Sequence, residues 1–488
     1  MSNISKSLYC NYVQCKKMIW LNKYKKEEYV ETKNDSVMEN GNEVGDLARS
    51  YFGNYSLVKY NEVLINMIME TKKYLKQKKS IICEASFKFD NLFSSIDILK
   101  IDDNGVSIYE VKSSTEVKDI YKDDASFQAY ILRKLGFNVK SVNIMHLNSN
   151  YVLKGKLDLS NLFVIEDITD LSIIKEKEIE ENVKEINEIL DSEIEIDEDI
   201  DLHCFKPYDC PFFKYCSRHI KENNVFEVRG MTINKKIELY KKGIISFDEL
   251  LKEDINEKYL EQIDFRLNNK KPKINKEKIK EFLDTLKDPI YFLDFETYQD
   301  AIPKYEGQSV YGKVPFQYSL HYYDKDNNLK HKEFLSKEDI DPRRSLAEQL
   351  VKDIPNNVCV LAYNMSFEKS VIKNLAELYE DLSEDLLKIY NNIKDLMVPF
   401  KSRDYYVKEM DGSYSIKYVL PALFKDDPSL DYHNLDLVHN GSEAMDTFKK
   451  LGSYSEEERK KIRKSLLKYC ELDTYAMVKI YEKLKEIE

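Results

Sequence analysis

The spacing of apolar and polar positions divides the chain into three zones. Residues 1–223 open with helical periods, pass to two-residue alternation near 81–112, and return to helical spacing from about 123. Residues 224–285 carry short helical periods such as LYKKGIISFDELL, where Gly243 is placed to end one helix before the next. This stretch reads as a helical connector. From Pro289 the apolar run of IYFLDFET starts a new alternation of strands and helices that fills residues 286–488. The expected fold class is α/β, with a domain on each side of the connector and no repeat at solenoid periods.

Composition adds compartment and charge to this picture. Hydrophobic residues make up 42% of the 488, enough to bury real cores. No apolar run approaches the ~18 residues of a membrane span. The start, MSNISKSLYC, lacks the apolar core of a signal peptide, so a cytoplasmic protein with no membrane partner is expected. The eight cysteines suit that compartment, where clustered thiols more often bind metal than form disulfides. The net charge of −12 is concentrated: Glu176 to Asp201 holds thirteen acids against two lysines. That stretch reads as a solvated helix or loop. The rest is close to neutral, with basic stretches such as Lys16–Lys17, Lys25–Lys26 and Lys270–Lys280, so a nucleic-acid partner is compatible with the charge.

The most informative chemistry lies in the third zone. Asp294 and Glu296 are two apart on an apolar strand and therefore project to one face. Burial alone would not place two acids there without a neutralising partner, and a divalent ion with oxygen ligands supplies one. Tyr469 and Asp473 are four apart on a helical pattern and share a face. Asn364 and Glu368 fall where the strand VCVLAYN gives way to a helix, and Asp395 is a further acid beside an apolar segment. In this order the set resembles the DEDD exonucleases, the DnaQ-like branch of the ribonuclease H fold, in the subclass with tyrosine in the last motif. The resemblance implies 3′→5′ phosphodiester hydrolysis with two Mg²⁺ or Mn²⁺ ions. Asp294, Glu296, Glu368 and Asp473 would be the ligands, Tyr469 would orient water, and Asn364 would support the site. Glu368 stands where that family usually has Asp, and Asp395 is the substitute.

The first zone carries a second pattern. Asp103-Asn104-Gly105 between apolar alternations predicts a hairpin with a two-residue turn. With Asn104 and Gly105 as the loop, Asp97 stands opposite Lys112 and Leu99 opposite Glu110. Asp97, Glu110 and Lys112 then share one face. This D…E-x-K pattern resembles the RecB-like PD-(D/E)xK nucleases. That implies Asp97 and Glu110 as ligands of one or two metal ions, Lys112 as the group that positions water or stabilises phosphate charge, and Gln128 in support. The early-helix His of that group has no counterpart in GNEVGDLAR, where Glu43 or Asp46 stands instead.

Cys204, Cys210 and Cys216 follow this segment and Cys15 precedes it, with Cys10 as an alternative to Cys15. The arrangement resembles the iron–sulfur nucleases of the CRISPR-adaptation and RecB-like group. It implies a [4Fe–4S] cluster on the four cysteines, with Zn²⁺ as the rival. Cys83, Cys359 and Cys470 sit in apolar patterns and read as core thiols. Together the resemblances match a bacterial fusion of two nuclease domains and imply a DNA-processing enzyme acting on single strands or duplex ends. An RNA-directed exonuclease and a binding scaffold with one lapsed site remain open.

Overall fold

The structure, a computed structural model, describes residues 3–31 and 35–487, with side chains described from Asn40 onward in the second stretch. It is mixed α/β, and among the described residues no helix is long and apolar enough to cross a membrane. The chain divides into two compact units. The first comprises Met1–Lys221, Ile233–Glu238 and Asp300–Tyr311. The second comprises Glu222–Thr232, Leu239–Gln299 and Gly312–Glu488, so most of the 224–285 segment lies with the C-terminal part. The helix Ile233–Lys241 ends at Gly243, whose φ of +76° suits the left-handed turn expected there.

The first unit is built on a seven-stranded mixed sheet. Its strands are β1 (Ile4–Ser5), β2 (Ser56–Leu57), β3 (Ile81–Phe89), β4 (Leu92–Asp102), β5 (Gly105–Lys112), β6 (Val139–Leu147) and β7 (Phe163–Asp167). The order is β2-β3-β4-β5-β6-β7, with β1 pairing β4 in parallel. Helix α1 (Lys6–Gln14) starts directly after β1, with Ser5 as its cap. Helix α2 (Asp119–Lys134) is buried over most of its length against the sheet, and Tyr9 of α1 stacks on Phe127 of α2 at 4.6 Å. Helix α3 (Glu176–Asp191) opens the acidic stretch. It is not merely solvated: Ile179, Ile186, Ile189 and Leu190 are buried, while Glu185 accepts from Tyr12 and pairs with Lys16. An acidic face on an amphipathic helix hides such a stripe from a reading by charge alone.

The hairpin between β4 and β5 exists, but its register differs from the expected one by two residues. Asp102 pairs with Gly105 and Leu99 with Ile108, so Asp103 and Asn104 form the turn. Gly105 begins the strand with φ +138°, and a Cβ there would lie 2.2 Å from the Asn138 carbonyl oxygen. Close backbone approach, not turn chemistry, accounts for this glycine. A shift of two keeps every side chain on its face, so the grouping of Asp97, Glu110 and Lys112 is unaffected.

In the second unit a five-stranded sheet runs β11-β10-β9-β12-β13. Here β8 (Lys273–Ile274) and β14 (Tyr405–Tyr406) form a separate small ladder, and the larger sheet comprises β9 (Ile290–Gln299), β10 (Lys313–Tyr323), β11 (Leu329–Leu335), β12 (Cys359–Ala362) and β13 (Ile393–Asp395). The first three are antiparallel, whereas β12 and β13 run parallel to β9. Pro315 sits in the interior strand β10, which is tolerated because the ladder is irregular between Pro315 and Gln317. Helix α4 (Arg343–Asp353) and helix α5 (Ser366–Leu378) contribute to a core with Leu293, Phe295, Tyr318 and Val360. The 30-residue helix α6 (Glu456–Lys485), capped by Ser455 with Glu458, packs on β9 and β10. Gln317 Nε2 donates to the Leu466 carbonyl at 2.8 Å in this buried layer.

Gly105→Ala is expected to lower stability by about 1–3 kcal/mol, because the new methyl meets backbone and the conformation is strained. Urea unfolding measures this; an unchanged midpoint would show that the β5–β6 contact is looser than described.

Candidate functional site

The central strand β9 and the long helix α6 bring three acids together. Asp294, Glu296 and Asp473 each offer a carboxylate oxygen, all within 4.8 Å of one another. Glu368, in the first turn of α5, is 2% exposed, and its Oε2 is buried without a hydrogen-bond partner. Its charge acts on both Asp294 and Glu296. Burial, then the charges of Asp473, Glu296 and Glu368, raises Asp294 well above the carboxylate range. Burial and Asp473 push Glu296 up to about 8. Burial, with Asp395 adding to it, brings Glu368 to about 8. Asp473 rises to about 6 through burial, although hydrogen bonds from Tyr432 and Tyr469 oppose the shift. Like charges this close in a desolvated place cannot all ionise without a cation. The donor set is all oxygen, which fits Mg²⁺ or Mn²⁺.

Tyr469 is buried and shares Asp473 with a second tyrosine. Tyr432 donates to Asp473 Oδ1 at 2.6 Å, and its ring lies 6.0 Å from that of Tyr469. It stands 41 residues before Asp473 in a single 3₁₀ turn (Tyr432–Asn434), too short for any periodicity to mark it. Burial first, then Asp473, holds both hydroxyls above their ordinary range, so both stay protonated and donate. Cys470 is buried with its sulfur 3.8 Å from Asp294 Oδ2; this thiol belongs to the wall of the site as well as to the core. Asn364 has φ +69° at the end of β12, and its N–H donates to Asp395 Oδ1 at 3.0 Å. Asp395 also accepts from Met397 N–H, so it braces backbone beside Glu368. Lys417 is exposed and lowers the Glu296 and Asp473 values.

The first unit assembles a second group at the end of the β4–β5 hairpin. Past Ile98 and Tyr109 the ladder ends, and Asp97 Oδ2 accepts the Val111 N–H at 2.8 Å. Lys112 Nζ donates to Glu110 at 2.7 Å and to Asp124 at 2.8 Å. Gln128, fully buried one turn along α2, donates to both Glu110 and Asp124. Asp124 is thus a member of the group rather than a neighbour on the helix. Lys6 was not foreseen. Its Nζ lies 3.1 Å from Glu110 and 3.5 Å from Asp97, because pairing of β1 with β4 delivers the start of α1 to this place. Desolvation would lower both lysines, but the carboxylates outweigh it and hold them above their ordinary range. Glu110 is lowered: burial and Asp97 act to raise it, and Lys112 and Lys6 overcome them. Glu84, inside β3 at φ +56°, pairs with Arg49 and is raised by burial and by Asp97. A non-glycine residue in that conformation within a strand is strained and marks this edge of the group. Glu43 and Asp46 are exposed; Asp46 pairs with Arg49.

The cysteines separate into two environments. Cys204, Cys210 and Cys216 lie in one another's electrostatic reach, and Cys15 lies in reach of Cys204 and Cys210. Cys10 instead feels Asp124, Lys112 and Glu110, which places it with the carboxylate group. All eight cysteines are free thiols. Glu198 and His203 join Cys15, with ligand atoms within 4.8 Å, and the Cys15 thiol donates to Glu198 at 3.8 Å. Cysteine thiolates suit an iron–sulfur cluster, whereas the carboxylate and imidazole beside Cys15 suit zinc.

The raised carboxyls have a consequence for stability. Glu296 and Glu368 hold protons up to about 8, against an ordinary 4.5, so their contribution is complete below 4.5 and is lost as pH rises toward 8. The Tm of metal-free protein should fall across that window, and Mn²⁺ should restore it most at the upper end, where its ligands are deprotonated. Glu296→Gln should flatten the pH dependence. Equal slopes for variant and wild type would contradict the assignment.

Residues 291–415 match a domain family described as a domain of unknown function, DUF2779. That stretch holds Asp294, Glu296, Asn364, Glu368 and Asp395, and ends before Tyr469 and Asp473. Uncharacterized protein UU173 of Ureaplasma parvum serovar 3 is 25% identical over a 261-residue alignment that covers 49% of this chain. The match covers 37% of that relative's own length. No solved structure matches the chain.

Proposed function

We propose that this protein is a metal-dependent nuclease that removes nucleotides from the 3′ end of DNA, single-stranded or at duplex ends, through the site on β9 and α6. The observation that carries this reading is the convergence of Asp294, Glu296 and Asp473 within 4.8 Å, with Glu368 buried beside them and short of a partner. These four would hold Mg²⁺ or Mn²⁺, which supplies water activation and stabilisation of the leaving oxygen in phosphodiester hydrolysis. Tyr469 and Tyr432 retain their protons and donate them to Asp473, so each would orient a water by accepting from it, and neither acts as the base. A five-stranded mixed sheet with the acids on its central strand supports the ribonuclease H-like, DEDD-type reading of the second unit.

The group of Asp97, Glu110, Lys112 and Gln128 supports a PD-(D/E)xK-type site in the first unit, with the four cysteines stapling its two ends through a [4Fe–4S] cluster. A second reading of this site rests on Lys6. With Lys6 and Lys112 facing three carboxylates, the charge is largely balanced from within, which favours a nucleic-acid-binding module over a second catalytic centre.

Degradation of 3′- and 5′-end-labelled DNA and RNA with Mg²⁺ or Mn²⁺ tests the proposal. Wild type should trim from the 3′ end, and Asp294→Asn should reduce the rate roughly 100-fold or more, the scale of losing a group that stabilises the transition state. Trimming that survives the substitution would sink the assignment, and a preference for RNA would redirect the substrate. Asp97→Ala separates the two readings of the first unit: a lost cleavage activity makes it catalytic, and weakened binding alone makes it a module. Anaerobically purified protein should be brown with about four irons per chain; colourless protein with stoichiometric zinc would overturn the cluster.

A further inference from the structure

A third group of potential ligands lies in the second unit, outside the carboxylate site. Strands β10 and β11 pair so that His321 stands directly opposite His331, with ring centroids 4.5 Å apart. Glu471 reaches them from α6, and one ligand atom from each of the three residues lies within 4.8 Å of the other two.

The hydrogen-bond network assigns the protons. Thr474 Oγ1 donates its only proton to the Glu471 carbonyl at 3.1 Å. It must therefore accept from His321 Nδ1 at 2.7 Å and from Ser319 Oγ at 2.6 Å. Ser319, its proton given to Thr474, accepts from His331 Nε2 at 2.8 Å. That commits His321 Nδ1 and His331 Nε2 to the two hydroxyls and leaves His321 Nε2 and His331 Nδ1 as the nitrogens available to a metal. His331 Nδ1 is 3.9 Å from Glu471 Oε1, too far for a hydrogen bond even if it carried a proton. One nitrogen of each ring and a Glu471 carboxylate oxygen thus lie within 4.8 Å of one another.

We propose that His321, His331 and Glu471 form a transition-metal site of the Zn²⁺ class, distinct from the carboxylate site. Imidazole nitrogens select such ions over Mg²⁺, and three protein ligands leave a position open for water or an external ligand. The three residues line a pocket of about 320 Å³ with Lys468, Leu472 and Tyr475, which gives that position room. The Ser319–Thr474 hydroxyl pair is the outer shell that fixes each ring's tautomer. Glu471 lies between Cys470, which abuts Asp294, and Asp473, so the ion would clamp β10 and β11 to the helix turn that carries Tyr469 and Asp473. The inference does not depend on the nuclease reading.

Cobalt and zinc titration of the full chain tests it, comparing wild type with Glu471→Ala and His331→Ala. Each variant should bind one equivalent fewer Co²⁺, or bind that equivalent at least ~10-fold more weakly. The equivalent lost should show d–d bands without thiolate charge transfer, which separates it from the cysteines. Zn²⁺ should raise the wild-type Tm more than that of either variant. Glu471 is exposed, so Glu471→Ala carries the test if His331→Ala folds poorly. Equal stoichiometry and affinity in wild type and Glu471→Ala overturns the proposal, as does thiolate absorption from the equivalent in question.

Discussion

Three carboxyl groups within 4.8 Å of one another, with a fourth buried beside them, are the constraint around which the second unit is organised. Asp294 and Glu296 come from one strand, Glu368 from the first turn of one helix and Asp473 from the middle of another, so the site exists only when sheet and helices are packed. Holding like charges at this distance is unfavourable, and the fold meets it by keeping protons on Glu296 and Glu368 up to about 8. The surroundings are built to hold that arrangement. Tyr432 and Tyr469 donate to Asp473, Cys470 fills the wall beside Asp294, and Gln317, the cross-strand partner of Glu296, ties the helix to β10.

The first unit solves the same electrostatic problem by another route. Asp97, Glu110 and Asp124 are equally crowded, but Lys6 and Lys112 stand among them and Gln128 donates to two of the three. Glu110, more deeply buried than Asp294, is accordingly lowered where Asp294 is raised. Burial alone decides neither outcome; the sign follows from which charges share the space. In this chain one acidic site is compensated by lysines within it and the other by protons held on its own carboxyls.

Which features were legible in the sequence follows from the range of the interactions that produce them. Strand and helix periods put Asp294 with Glu296, Tyr469 with Asp473, and Asp97 with Glu110 and Lys112 on common faces, because those relations depend only on backbone repeat. The hairpin was legible as a hairpin, yet its turn was displaced by two residues. The packing of Gly105 against the Asn138 carbonyl, a contact across the sheet, decides that register. The acidic stretch was legible as charge, while the apolar stripe of α3 emerged only once it had a surface to cover.

The amino-acid sequence by itself determined the fold class, the placement of paired acids on strand and helix faces, and the spacing of Cys204, Cys210 and Cys216. Only the tertiary structure decided which of these groups meet. Lys6 arrives through a two-residue strand paired with β4, and Tyr432 through a single 3₁₀ turn. The pairing of His321 with His331 comes from antiparallel register. The physical reason is the same in each case. A side chain's direction is set by local backbone geometry, whereas its neighbours and protonation are set by contacts between residues remote in sequence, which no period along the chain encodes.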